Sequence, residues 1–188
     1  MSENYFPLPA DLPVPIDDGA ATHLTDAALP DLVLSSTDGS AINLGRLSGL
    51  WVIYVYPMTG RPGIHLPDGW DGIPGARGCT PQSCSFRDHF SELGVLGAGV
   101  FGLSSQTTEY QLEARNRLHL PFELLSDTAL RLESVLGLPT FTVAAMRLFK
   151  RLTLIAENGR IRKVFYPVFP PDQNAEEVLL WLREHAAD

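Results

Sequence analysis

Cysteine is scarce in this chain, with two among 188 residues, too few for the disulfide framework of a small secreted domain. Basic residues are in short supply as well. Lysine and arginine number 14 against 22 acids, leaving a net charge of −8, which repels phosphate backbones and offers no basic stripe for nucleic acid. No apolar run approaches the ~18 residues of a membrane-spanning helix, and the opening residues carry no positive cluster ahead of an apolar stretch. Repeats and low-complexity tracts are lacking too. The expectation is a cytoplasmic protein with no nucleic-acid and no membrane partner. What the chain does have is apolar content, 45% of its residues, in a length that suits one domain and buries a core without covalent staples.

Residues 1–30 hold five prolines and little periodicity, which predicts an extended arm, wrapped around the domain or mobile, ahead of a domain over 31–188. Two short apolar runs flank Asp38-Gly39 and predict a hairpin over 32–44. The continuous run Leu50-Trp51-Val52-Ile53-Tyr54-Val55-Tyr56 suits a strand buried on both faces, ended by Pro57. Residues 58–78 are dense in glycine and proline and predict a long loop of the kind that is often functional. After it, Thr80 as cap, Pro81 in the first turn and the spacing of Phe86, Phe90 and Leu93 predict one helix ending at Gly94. Strand, helix, strand and helix follow over 100–103, 107–118, 122–125 and from Asp127, as helix cap, to Gly137. Asn158-Gly159 between two β-branched runs is the strongest hairpin signal, and Asn174 with Glu177 predicts the cap of a terminal helix. These elements predict an α/β fold with a mixed sheet covered on both faces.

Chemistry concentrates in Cys79-Thr80-Pro81-Gln82-Ser83-Cys84. The unsatisfied amides and positive end of a helix favour a thiolate, which is both the nucleophile and the form that oxidises. Arg77 and Arg87 add positive potential nearby, unless both point to solvent. Positions five apart on a helix have Cα atoms ~8.7 Å apart, whereas a disulfide needs ~4.4–6.8 Å. A bond between them therefore requires the first turn to unwind. Pro81, Thr80 and Ser83 make that turn easier to open than an alanine-rich one. Cys84 thus fits a resolving thiol that waits until Cys79 is a sulfenic acid. The plain alternative is two small buried residues. A thioredoxin-type motif needs two intervening residues rather than four, and zinc on Cys79, Cys84, His65 and His89 would follow no familiar ligand spacing. No cofactor and no metal is expected.

Tyr54-Val55-Tyr56-Pro57 and Gly78-Cys79-Thr80-Pro81-Gln82-Ser83-Cys84-Ser85-Phe86-Arg87-Asp88 together resemble peroxiredoxins of the redoxin superfamily, particularly the bacterioferritin-comigratory-protein (Q) type with both cysteines in one helix. The resemblance runs over roughly residues 30–186. It implies a thioredoxin-like fold, reduction of hydrogen peroxide or organic hydroperoxides, and recycling by thioredoxin or a similar dithiol reductant. It implies Cys79 as the peroxidatic cysteine, Cys84 as the resolving cysteine and Arg151 as the arginine that holds thiolate and peroxide. Without the resemblance, Arg151 reads as a surface charge, since arginine is mostly exposed. With the resolving thiol in the same chain, a monomer is expected.

The chain departs from that family where a proline and a hydroxyl residue would precede the cysteine by seven and three positions: Gly72 and Ala76 stand there. The strand-end Pro57 and Thr59 lie further back, separated from Cys79 by an insertion. One expectation is that Thr59 folds back to the peroxide with residues 61–75 as a lid; another is that the backbone amide of Gly78 or water substitutes. Ile64, Leu66, Trp70 and Ile73 would then form an apolar rim for an organic peroxide, or else a local core. Ser104-Ser105-Gln106 is expected either beside the site or as a helix cap. Two other functions compete: a redox-responsive binding module using the same disulfide to open the helix start, and a structural relative without catalysis.

Overall fold

The computed structural model describes residues 8–185; the first seven residues of the expected arm, and the last three of the expected domain, lie outside them. Seven strands form the main sheet, in the order β2-β1-β5-β4-β3-β8-β9. β3 (Leu50–Val55), β4 (Ala98–Ser104) and β5 (Glu123–Ser126) run parallel at its centre. β1 (Val33–Ser36), β2 (Ala41–Asn43), β8 (Leu152–Glu157) and β9 (Arg160–Phe165) complete it by antiparallel pairing. This is the mixed, doubly covered α/β sheet of a thioredoxin-like fold.

Side chains alternate across β3 because successive residues of a strand face opposite sides. Ile53 and Val55 join a core with Leu24, Leu29, Phe101, Leu125, Phe149 and Leu132. Val52, Tyr54 and Tyr56 join the other core, under α1 (Cys79–Asp88), α2 (Phe90–Val95) and α5 (Asn174–His185), and both cysteines belong to that side. Gly102 is needed in β4 because a Cβ there would sit 2.5 Å from Leu124 Cδ2 and 2.7 Å from Tyr54 Cζ.

Several expected boundaries move. Gly78, not Thr80, is the N-cap of α1, and no side chain caps it. The single helix expected to reach Gly94 breaks at His89, whose ψ of 5° leaves the helical basin; the break seats Phe90 against Phe122, ring centroids 5.8 Å apart. Asp127 does hold the start of α4 (Arg131–Leu136), accepting from the Arg131 and Leu132 amides at 3.0 and 2.8 Å. The cap position itself is Leu130, in a left-handed conformation, so the helix starts later than expected. α3 (Thr108–Arg117) starts from Thr107 as expected, its hydroxyl accepting from the Tyr110 amide.

A second sheet, β6 (Thr140–Val143) with β7 (Met146–Phe149), gives no turn signal in the sequence. Its two turn residues, Ala144 and Ala145, both have positive φ, a geometry normally betrayed by glycine or asparagine. The hairpin matters because it carries the long loop: Trp70 and Ala76 pack with Val143 and Leu148, and Leu66, Ile73 and Phe141 flank them. Tertiary packing thereby pins a segment whose composition reads as loop. Of the N-terminal arm, residues 8–20 run without regular structure and then Ala21, Leu24 and Leu29 enter the core.

Candidate active site

Cys79 is the first residue of α1, where helix amides have no partner of their own, and it is 3% exposed. Its position is set by Gly78. That residue has φ +108°, and a Cβ on it would lie 2.3 Å from Pro171 Cγ. Gly78→Ala is therefore expected to destabilise the protein by about 2 kcal/mol or more and to slow the reaction of Cys79. Thermal unfolding together with the peroxide rate measures both effects; a variant equal to the parent in both would refute this account of the helix start.

Arg151 lies one residue before β8 and is 3% exposed, so the surface-charge reading of it is overturned. Its Nη2 donates to Cys79 Sγ at 3.2 Å, and also to the carbonyls of Ala76 at 3.0 Å and Arg77 at 3.2 Å. Nε donates to Gly75 O at 3.2 Å, and Nη1 donates to Gln82 Oε1 at 2.5 Å. Carbonyls of the last turn of the long loop thus accept from the same guanidinium that donates to the sulfur. A hydrogen bond from a permanent cation stabilises charge on its acceptor more than a neutral donor does.

Gln82 is the site residue that sequence reasoning missed. Three positions after Cys79, it lies on the same face of α1 and is fully buried. Its Nε2 donates to Asn174 Oδ1 at 3.0 Å, and Thr153 Oγ1 donates to that same oxygen at 2.6 Å. Asn174, expected as a helix cap, is instead the buried hinge of this chain, linking α5 and β8 to the helix between the two cysteines. The only signal in the sequence was a glutamine inside the cysteine motif.

Cys84 falls inside α1 and is 6% exposed, and no disulfide joins it to Cys79. Beside it Ser83 accepts a hydrogen bond from the buried Tyr54 hydroxyl at 3.0 Å. Burial pushes the phenols of Tyr54 and Tyr56 well above their ordinary range. Both therefore stay protonated on the sulfur side of the sheet, Tyr54 donating to Ser83 and Tyr56 accepting from Gln111 Nε2 at 3.3 Å.

Pro57 ends β3, and Thr59 behind it is 1% exposed. The expectation that Thr59 turns back to the peroxide meets a different arrangement: its amide and hydroxyl both donate to Gln106 Oε1, at 2.9 and 3.2 Å, and Gln106 Nε2 donates to its carbonyl. The amide of a glutamine at the end of the neighbouring strand is complementary to a whole residue's backbone and hydroxyl, and it captures both. Ala76, where a hydroxyl was missed, contributes its carbonyl to Arg151 instead. Of the four apolar loop residues, Leu66, Trp70 and Ile73 belong to the local core with β6 and β7, and Ile64 is 60% exposed. Arg77 pairs with Asp71 at 2.8 Å, and Arg87 donates to Leu118 O at 2.9 Å. Among the described residues no group of histidine, cysteine and carboxylate side chains could hold a metal ion, and no helix is long and apolar enough to cross a membrane.

Comparison with known proteins bears on the family and the fold. The model of the family described as Redoxin matches residues 24–179. Among curated relatives, chloroplastic peroxiredoxin Q of Oryza sativa subsp. japonica is 27% identical over 154 residues, 81% of this chain and 64% of that protein. Its counterpart in Arabidopsis thaliana is 26% identical over 157 residues, 83% of this chain and 65% of that protein. The chain thus spans a little under two thirds of these relatives. The solved structure of peroxidoxin BcpB from Mycobacterium tuberculosis superposes with a TM-score of 0.69 at 22% identity, covering 86% of this chain and 97% of that one. Bacterioferritin comigratory protein of Xanthomonas campestris, described for its alkyl peroxide reduction activity, gives 0.65 at 23% identity, covering 95% and 99%. At such identities the solved structures establish the fold.

Proposed function

This chain belongs to the redoxin family, and from that premise we propose that it is a thiol-dependent peroxidase of the peroxiredoxin Q kind. The observation that carries the reading is the buried Arg151 guanidinium donating to Cys79 Sγ at 3.2 Å at the first residue of a helix. In the first step the Cys79 thiolate attacks the terminal peroxide oxygen; an S–O bond forms, the O–O bond breaks, and sulfur is oxidised to a sulfenic acid. The peroxide is reduced to an alcohol or water, its leaving oxygen taking a proton, and Arg151 offsets the charge that develops there. In the second, the Cys84 sulfur displaces water from the sulfenic acid and forms a disulfide. A dithiol donor of the thioredoxin type then reduces that bond. One chain suffices, so we propose a monomer, with the cytoplasm as its setting although the plant relatives are named as chloroplastic.

The second step requires α1 to open, because the two cysteines are held by one helix whose geometry keeps them ~2–4 Å too far apart for a disulfide. Opening also breaks the bonds of Gln82 to Arg151 and Asn174. One equivalent of hydrogen peroxide is therefore expected to give a Cys79–Cys84 bridge by mass spectrometry and a loss of about two turns of helix by circular dichroism. Cys84→Ser is expected to consume at most one equivalent in the absence of an external thiol. A bridge that never forms, or repeated turnover in Cys84→Ser without added thiol, would overturn the proposed resolution.

A further inference from the structure

The first residues of the described chain lie outside the stretch that matches the redoxin family, residues 24–179, and take no part in the steps above. Several of them line a cleft that reaches Arg151. Val14, Pro15 and Ile16 line a cleft of about 390 Å³ together with Pro74, Phe141 and Arg151. That volume is in the range of small-molecule sites, and the walls are of the apolar kind such sites use. Pro15 also packs on Gly75, 3.7 Å from the point where a Cβ would stand, and Gly75 in turn supplies the carbonyl that accepts from Arg151 Nε. Arm, loop, guanidinium and sulfur are thus in continuous contact.

A latch holds the arm in place. Lys150 Nζ donates to Asp18 Oδ2 at 2.6 Å, and the Tyr166 hydroxyl donates to Asp18 Oδ1 at 2.7 Å. Both hydrogen bonds, that of Lys150 foremost, hold the Asp18 carboxyl far below the usual carboxylate range. Lys150 is paired with Asp18, which leaves Arg151 as the cation of the lining. Beyond the latch, Val14 is 62% and Ile16 85% exposed, large apolar side chains that a tail in the cleft would partly cover.

We propose that residues 14–18, latched by Asp18, are a specificity wall that receives the uncharged organic tail of a hydroperoxide while its O–O bond lies at Arg151 and Cys79. The inference rests on the peroxidase reading and adds that the arm, rather than the scaffold shared with the family, sets the preference for tailed peroxides over hydrogen peroxide. The alcohol that remains after oxygen transfer carries the tail out of the cleft.

Single-turnover rate constants of the reduced full chain with cumene hydroperoxide and with hydrogen peroxide test this without any reductant. The quantity read is the ratio of the two constants. Asp18→Ala, which opens the latch, and the double substitution Val14→Ser with Ile16→Ser, which removes the apolar wall at exposed positions, are each expected to lower that ratio about tenfold, the size of effect that a few lost apolar contacts produce. A fall of more than about threefold in both variants supports the wall; a smaller change in either overturns it. If the intact chain reacts with neither peroxide, the peroxidase reading itself fails and the wall with it.

Discussion

Cys79→Ser is expected to abolish peroxide consumption, lowering the rate by at least about 10³-fold, the order of loss seen when a covalent nucleophile is removed. The oxygen of serine does not ionise near neutrality, and it cannot accept a peroxide oxygen as sulfur does. Serine is close to cysteine in size, and the sulfur's main partners, Arg151 Nη2 and Ala76 O, both remain available to a hydroxyl. The variant should therefore melt within a few degrees of the parent, which separates lost chemistry from lost fold. Multiple turnover retained in folded Cys79→Ser would reject the peroxidase reading outright.

Substitution of Arg151 is expected to have the second-largest effect, and it divides into two parts. Arg151→Lys keeps a charge but loses the planar fork that meets Gly75, Ala76, Arg77, Gln82 and Cys79 at once. The second-order rate with hydrogen peroxide should fall about 10²–10³-fold, the range for loss of one preorganised donor at a developing charge. Arg151→Met removes every donor and leaves buried acceptors unpaired, which should also destabilise the protein by about 2–4 kcal/mol. Stopped-flow rates and chemical denaturation of the two variants read these parts separately. A lysine variant as fast as the parent would mean that charge alone suffices, and that the caging by residues 75–77 has no bearing on the reaction.

The candidate redox motif could be proposed from sequence because its chemistry would be local. Two cysteines five apart at a helix start state both a nucleophile and an obstacle to joining it, whatever surrounds them. The Asp38-Gly39 and Asn158-Gly159 hairpins were legible for a similar reason: their turn geometry demands residues that announce themselves. The β6–β7 hairpin, turning through Ala144 and Ala145, obeys the same geometry with residues that do not, so packing must hold what propensity disfavours. Arg151 was legible by resemblance only. Its place 72 positions from Cys79 is a product of the sheet, since β8 pairs with β3 and so delivers the residue before it to the helix that follows the long loop.

Thr59 and Asn174 show where local reasoning fails. Each has a plausible role near its own position, a peroxide ligand and a helix cap, and each is taken by a partner brought from far along the chain, Gln106 for Thr59 and Gln82 with Thr153 for Asn174. A buried polar group must be satisfied by whatever lies within hydrogen-bond reach, and reach is a property of the folded arrangement. The amino-acid order alone therefore determined the placing of two cysteines on one helix, the alternation of strands with helices and the Asp38-Gly39 and Asn158-Gly159 turns, since these depend on neighbours within a few residues. The closure of residues 75–77 around Arg151, the buried chain through Gln82 and the path of the arm over the cleft were decided only when the sheet brought distant segments into contact, because hydrogen bonds and apolar packing act over a few ångströms and take no account of separation along the chain.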